Sequence, residues 1–301
     1  MPTKITVLLC FLLVAGNLIT AKAQVQQEGM ISEGKLRVHY QIHGSGAPLV
    51  FLHAGFQDLK MWNQQVAYFS RYNKVIALDL PGHGGTKGVD TSLLVQDVLR
   101  IFLDSLHIKT ASFAGLSIGA ACVVDFVLAY PERVEKVILV SPGLSGWAEV
   151  LKMDTVSQTC FAKMGRADST GNFDSIATCF TNVWCVGPGR RPSAVNPYAR
   201  NYVFRTTLAN LQQHPEDNRW PQLAKPPASL RMAQWKKPLL IIVGDEDIPF
   251  IVSVSIWMHN TIRDSKRVVI SHTAHMLNME RPLDFNQTIQ RFLNPEMADP
   301  E

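Results

Sequence analysis

Short, unbroken apolar runs recur along the chain at residues 48–53 (PLVFLH), 74–80 (KVIALDL), 111–117 (ASFAGLS), 136–141 (KVILVS), 238–244 (PLLIIVG) and 267–273 (RVVISHT). A strand with one face in water alternates apolar and polar side chains. A run without alternation marks a strand covered on both faces, as in a parallel sheet. Between these runs lie stretches of helical period. In 91–107 (TSLLVQDVLRIFLDSLH), Leu94, Val98, Ile101 and Phe102 fall on one face, and 282–293 opens on Pro282 and repeats Phe285, Ile289 and Phe292. The alternation predicts a three-layer α/β fold around a mostly parallel sheet, led by a pair of strands around 33–44 (EGKLRVHYQIHG).

The pattern stops after about residue 143 and resumes at the strand beginning at Pro238. The interval holds Trp147, Trp184, Trp220 and Trp235, the cysteines Cys160, Cys179 and Cys185, and the breaker-rich pieces GPGRRP and AKPPAS. It reads as a helical insertion over residues 145–235, seated over the end of the sheet, with the core formed by 24–144 and 236–301. No internal repeat interrupts this organisation.

The first residues follow neither pattern. Lys4, an apolar run over 5–15 and the small-residue close Ala21-Lys22-Ala23 predict a signal peptide, residues 1–23, cleaved before Gln24. The run is well short of the roughly 20 apolar residues a spanning helix needs, and Asn17 interrupts it, so no stable membrane insertion is expected after cleavage. Export to the periplasm or the medium follows.

Composition changes this picture little. With 301 residues, 47% hydrophobic and 18% charged, the chain can bury a large core. Its formal charge of +4 falls by two, to +2, when Lys4 and Lys22 leave with the leader. Without a dense Lys/Arg tract, a nucleic-acid partner is excluded, and Gly189-Arg190-Arg191 reads as a solvated loop. Cys122, within GAACVVDFVLAY, reads as a small buried hydrophobe; Cys160, Cys179 and Cys185 allow at most one disulfide, the pair left open. No metal-ligand spacing occurs, so neither a metal nor a cofactor is expected.

The chemistry gathers at Gly115-Leu116-Ser117-Ile118-Gly119, after one apolar run and before a string of small residues. A nucleophile displayed on a sharp strand-to-helix turn needs neighbours without bulk two positions away on each side, and the helix that follows aims free N–H groups at it. A serine hydroxyl also needs a base, and the base needs a third group to set its tautomer. In this architecture the acid and then the histidine follow at the ends of later strands. Asp247, after PLLIIVG, and His275, after RVVISHT, stand there.

At these residues the chain resembles the α/β-hydrolase superfamily, from about residue 36 to 293, through FLHAGF, LDLPGHGGT, GLSIG, VGDEDIP and AHMLNMERP. The resemblance is greatest to small bacterial carboxylesterases and lactonases, the enol-lactonase type among them. It implies a Ser117, Asp247, His275 triad. Asp245, Glu246 and Glu149 are the competing acids and His272 the competing base; His53 and His83 read as structural hydrogen-bonders. The resemblance also implies an oxyanion hole built from the N–H of Ile118 and one from the HAGF loop, Gly55 or alternatively Phe56, with Ala54 a departure from the usual glycine.

The expected protein is an exported serine hydrolase that cleaves a small-molecule carboxylic ester or lactone through an acyl-enzyme. Two alternatives stand beside it: the same triad acting on a carbon–carbon, amide or perhydrolysis bond, and a receptor-like protein retaining a ligand. The apolar residues of the insertion imply an apolar or mixed pocket. Oligomeric state stays open.

Overall fold

The computed structural model describes residues 26–88, 90–214 and 221–297. The predicted leader peptide over residues 1–23 and its expected cleavage point before Gln24 lie outside these residues, as does Trp220.

Eight strands form one sheet: β1 (Gln27–Glu33), β2 (Leu36–His43), β3 (Ala47–Leu52), β4 (Asn73–Leu78), β5 (Ala111–Leu116), β6 (Val134–Val140), β7 (Leu239–Gly244) and β8 (Lys266–Ile270). Their spatial order is β1-β2-β4-β3-β5-β6-β7-β8. The β1–β2 and β2–β4 pairs are antiparallel, and all other pairs are parallel. The predicted α/β sheet is therefore present, with its leading hairpin at one edge.

Burial on both faces explains the unbroken apolar runs. Val50 and Leu52 of β3 join one apolar layer while Leu49 and Phe51 join the other, and β7 divides in the same way. The first layer is completed by α2 (Val95–Ser105), α3 (Ile118–Ala129) and α7 (Pro249–Thr261). The second is completed by α1 (Asn63–Phe69) and α9 (Pro282–Leu293), with the short α8 (Leu277–Glu280) leading into α9.

Helix α2 starts later than its periodicity predicts. Leu94 is extended and stands at the N-cap. Asp90 accepts the backbone N–H and the hydroxyl of Ser92, a local turn that competes with helix over the preceding residues. Strand β8 likewise ends before the apolar-looking stretch does, because His272 takes φ 62° and Thr273 bonds back to the Ile270 carbonyl at 2.7 Å.

Between β6 and β7 lie α4 (Thr155–Asp168), α5 (Phe173–Phe180), a wide helical turn over Thr181–Val186 and α6 (Pro197–Gln213). Helix α4 is capped by the Asp154 side chain, and its Ser157 hydroxyl accepts the Phe250 N–H at the start of α7. Helix α6 lies against the loop after β3. Asn210 donates to the Phe56 carbonyl and accepts from Gly84 N–H, while Tyr202 bonds Asp58. No helix of the described residues is long and apolar enough to cross a membrane.

Candidate active site

Every loop that carries a candidate side chain leaves the carboxyl end of a parallel strand, the side on which open α/β sheets bind ligands. Ser117 follows β5 directly with φ 58° and ψ −115°, a conformation that costs a non-glycine residue roughly 1–3 kcal/mol. Its surroundings hold it there. The Ser117 N–H donates to Val140 on the neighbouring strand, and its carbonyl accepts from Ala121 and Gly143.

The flanking glycines are required by contact. A Cβ on Gly115 would lie 2.5 Å from the Gly119 carbonyl oxygen, and one on Gly119 would lie 2.5 Å from the Leu52 oxygen and 2.6 Å from that of His53. Ile118 opens α3, so its N–H has no upstream helical carbonyl to meet.

Asp247 and His275 come together in a buried pair. His275 Nδ1 lies 2.9 Å and 3.1 Å from the two Asp247 carboxylate oxygens, with both residues at 4% exposure or less. An ionised carboxylate only accepts, so Nδ1 carries the proton and the lone pair sits on Nε2, at the far side of the ring. Ser117 and His275 line the same cavity of about 400 Å³. Asp247 Oδ1 also accepts the Ile248 N–H at 2.8 Å, which fixes the carboxylate at the start of α7.

The competing residues are engaged elsewhere. Asp245 is exposed and accepts the His272 N–H, Glu149 is exposed on a 3-10 turn, and Glu246 packs beside Gly187 and Gly189. His272 is exposed. His53 is fully buried, donates from Nδ1 to the Ala54 carbonyl and accepts the Leu80 N–H at Nε2; burial pushes its pKa down. His83 donates to Pro81, and burial pushes its pKa down to about 3.

In the loop after β3, Ala54, Gly55 and Phe56 all line the cavity, and the Ala54 N–H meets Met61 Sδ at 3.3 Å. The left-handed residue of this loop is Phe56, φ 56°, and Ala54 keeps an ordinary backbone. This is why alanine is tolerated where similar chains carry glycine. The loop is anchored from below by Asp79, which accepts from Leu59 and Gly85 N–H and pairs with His39 Nδ1, each at 2.7 Å. Burial acts to raise the Asp79 pKa, but the His39 contact and the other bonds outweigh it and hold the carboxyl below its usual range.

Two further contacts reach His275 from the insertion. Its backbone N–H donates to the Trp184 carbonyl, and the Trp184 ring packs on its imidazole. Arg190 corrects the sequence expectation of a solvated loop. Its side chain is 9% exposed, makes two bonds to Glu280 at 2.7 and 3.1 Å, and donates to the carbonyls of Cys185, Val186 and His272. Glu280 also accepts the N–H of Ala274, next to His275. Only a pair of adjacent arginines in a Gly/Pro-rich stretch and a distant acid signalled this clasp in the sequence. Cys122, Cys160, Cys179 and Cys185 are free thiols, so the disulfide allowed among the last three is not formed.

Comparison with known proteins decides the family. The family model described as alpha/beta hydrolase fold matches residues 47–282. The chain belongs to the α/β hydrolase fold family. Among relatives of this hydrolase, the 2-hydroxy-6-oxononadienedioate/2-hydroxy-6-oxononatrienedioate hydrolase of Paraburkholderia phymatum is 26% identical, over 86% of this chain and 91% of its own. The 3-oxoadipate enol-lactonase 1 of Acinetobacter baylyi is also 26% identical, over 84% of this chain and 91% of its own. In fold, the hydrolase is similar to the crystal structure of carboxylesterase CesB from Bacillus subtilis, with TM-score 0.68 and 20% identity over 89% of this chain and 91% of that one.

Proposed function

We propose that this hydrolase cleaves a carboxylic ester or lactone with Ser117 as nucleophile, His275 as base and Asp247 as its orienting acid. The observation that carries the reading is the buried Asp247–His275 pair, whose imidazole shares a cavity with a serine held at positive φ. In this mechanism Nε2 of His275 takes the hydroxyl proton as Ser117 Oγ attacks the carbonyl carbon. Asp247 stabilises the imidazolium. The N–H groups of Ile118 and Gly55, or Phe56 in its place, hold the developing oxyanion. His275 then returns the proton to the leaving alcohol, and water repeats the sequence on the acyl-enzyme.

Labelling of the protein by a fluorophosphonate, with turnover of p-nitrophenyl esters and lactones, tests the assignment. Both are expected to vanish in Ser117→Ala; labelling that persists in the variant removes Ser117 from the role. A second reading, cleavage of a carbon–carbon bond by the same residues, is favoured by the kinship with the oxononadienedioate hydrolase. Turnover of a vinylogous diketone in preference to esters would decide for it. A single slow burst with retained product would instead mark a receptor. Export rests on residues 1–23, and a mature N-terminus at Gln24 in secreted or periplasmic fractions is the result that supports it.

A further inference from the structure

Helix α4 turns one face to the cavity. Phe161, Met164, Gly165 and Asp168 all line it, and they are spaced i, i+3, i+4 and i+7, a single stripe on a helix of about 3.6 residues per turn. The facing wall is supplied by Ile176 and Phe180 of α5 and by Trp184, whose indole N–H reaches Met164 Sδ at 3.1 Å. Among the described residues lining this cavity there is no lysine or arginine. The cations of α4, Lys163 and Arg166, stand outside the stripe, and Lys163 borders a separate groove with Cys160. The one imidazole, His275, is committed to Asp247. The remaining charge is the carboxylate of Asp168, exposed at the last residue of α4.

From this arrangement we infer that the site takes esters or lactones with an uncharged, apolar acyl part and rejects those whose acyl part carries a carboxylate. The inference rests on the hydrolase reading above and gives it a substrate class. An anionic acyl chain would lose its water against Phe161, Met164, Ile176 and Phe180 and find no cation there; a buried charge without a partner is strongly disfavoured. Asp168 adds repulsion along the same wall. Two relatives described above are named for an oxononadienedioate and an oxoadipate, both dicarboxylates. This cavity is not built for that class.

A matched pair of substrates tests the inference: the p-nitrophenyl ester of monomethyl adipate and mono-p-nitrophenyl adipate, identical in leaving group and chain length. The neutral ester is expected to have kcat/KM higher by roughly 100-fold or more. Asp168→Asn is expected to narrow that ratio by about 3- to 10-fold at low salt, and added salt to narrow it in the parent but not in the variant. A Cβ at Gly165 meets nothing within 4 Å, so Gly165→Lys introduces a cation without displacing backbone. It is expected to raise kcat/KM for the anionic ester at least about tenfold.

Comparable rates on the two esters in the parent overturn the inference, and a ratio unchanged by Asp168→Asn removes Asp168 from it. Loss of the hydrolase reading shows differently, as absent turnover or as turnover that survives Ser117→Ala. Selectivity is then read by binding in Ser117→Ala, through Trp184 fluorescence with Trp184→Phe as the blank. Methyl hexyl ketone is expected to bind and its ω-carboxylate analogue to fail; equal binding refutes the substrate class whatever the chemistry.

Discussion

The indole of Trp184 rests on the imidazole of His275 with ring centroids 4.4 Å apart, and the Trp184 carbonyl accepts the His275 backbone N–H at 3.2 Å. The insertion therefore helps to orient the proposed base as well as to cover the cavity. Trp184→Ala is expected to lower kcat by roughly 10- to 100-fold with a smaller change in KM, since small misplacement of a reacting group carries costs of that order. Trp184→Phe is expected to recover most of the rate. A loss confined to KM would assign Trp184 to substrate contact alone.

The Asp247–His275 pair makes a sharper demand. In Asp247→Asn the amide can present its N–H to Nδ1, so the ring is driven to the tautomer that lacks a free pair on Nε2. Ester turnover is expected to fall by about 10⁴-fold while the circular dichroism of the fold is kept. Activity within tenfold of the parent at neutral pH, roughly, would point to Asp245 or Glu246 as the acid.

The glycines divide into two kinds. Gly115→Ala and Gly119→Ala force a Cβ to within 2.5 Å of a backbone oxygen and are expected to lower stability by about 2–3 kcal/mol and abolish turnover. Gly165→Ala, in the interior of α4 with open space beyond, is expected to raise stability by about 0.5–1 kcal/mol. Urea midpoints of the three variants check both signs.

Arg190 and Glu280 form a nearly buried pair, with side chains 9% and 5% exposed. Removing one partner strands the other charge, so Glu280→Ala is expected to cost about 3–5 kcal/mol and Arg190→Ala a similar amount. The double variant to Leu and Met is expected to recover much of that stability without restoring kcat, because the Ala274 N–H beside His275 still lacks its acceptor. Thermal melts and ester kinetics on the same preparations separate the two effects.

Stability is expected to fall on acidification. His53 and His83 are held neutral by burial, His83 with a pKa of about 3, whereas the unfolded chain takes up these protons near pH 6.5, approximately. The contribution of each ring is complete above that value and is lost as pH falls through its folded pKa, which for His83 is about 3, at up to about 1.4 kcal/mol per pH unit for that ring. His39 has the opposite sign. Its hydrogen bond to Asp79 raises its pKa against the effect of burial, so its contribution is complete below about pH 6.5 and fades as pH rises through the folded value. Urea titrations across this range on the parent and on His83→Asn are expected to show a shallower acid limb in the variant.

The sheet was legible because burial on both faces leaves a mark in each strand taken alone: Phe51 and Val50 point to opposite layers, and both are fully buried apolar residues. The Gly115–Gly119 turn was legible for a similar reason, since its constraint spans five consecutive residues. What escaped reading depends on partners far along the chain. Arg190 looked solvated because Glu280 is 90 positions away. The left-handed backbone at Phe56 carries no mark in the residue itself, and Leu94 fits the helical period of α2 while a local Asp90–Ser92 turn keeps it outside the helix.

The stripe of α4 belongs to a stretch of chain that supplies neither the strained serine turn nor the carboxylate–imidazole pair. Preference and reactivity can thus be inherited separately. A descendant of this chain can move to new substrates through changes at 161, 164, 165 and 168 while its sheet assembles as before, and the bare Cβ position at 165 offers that drift its most permissive starting point.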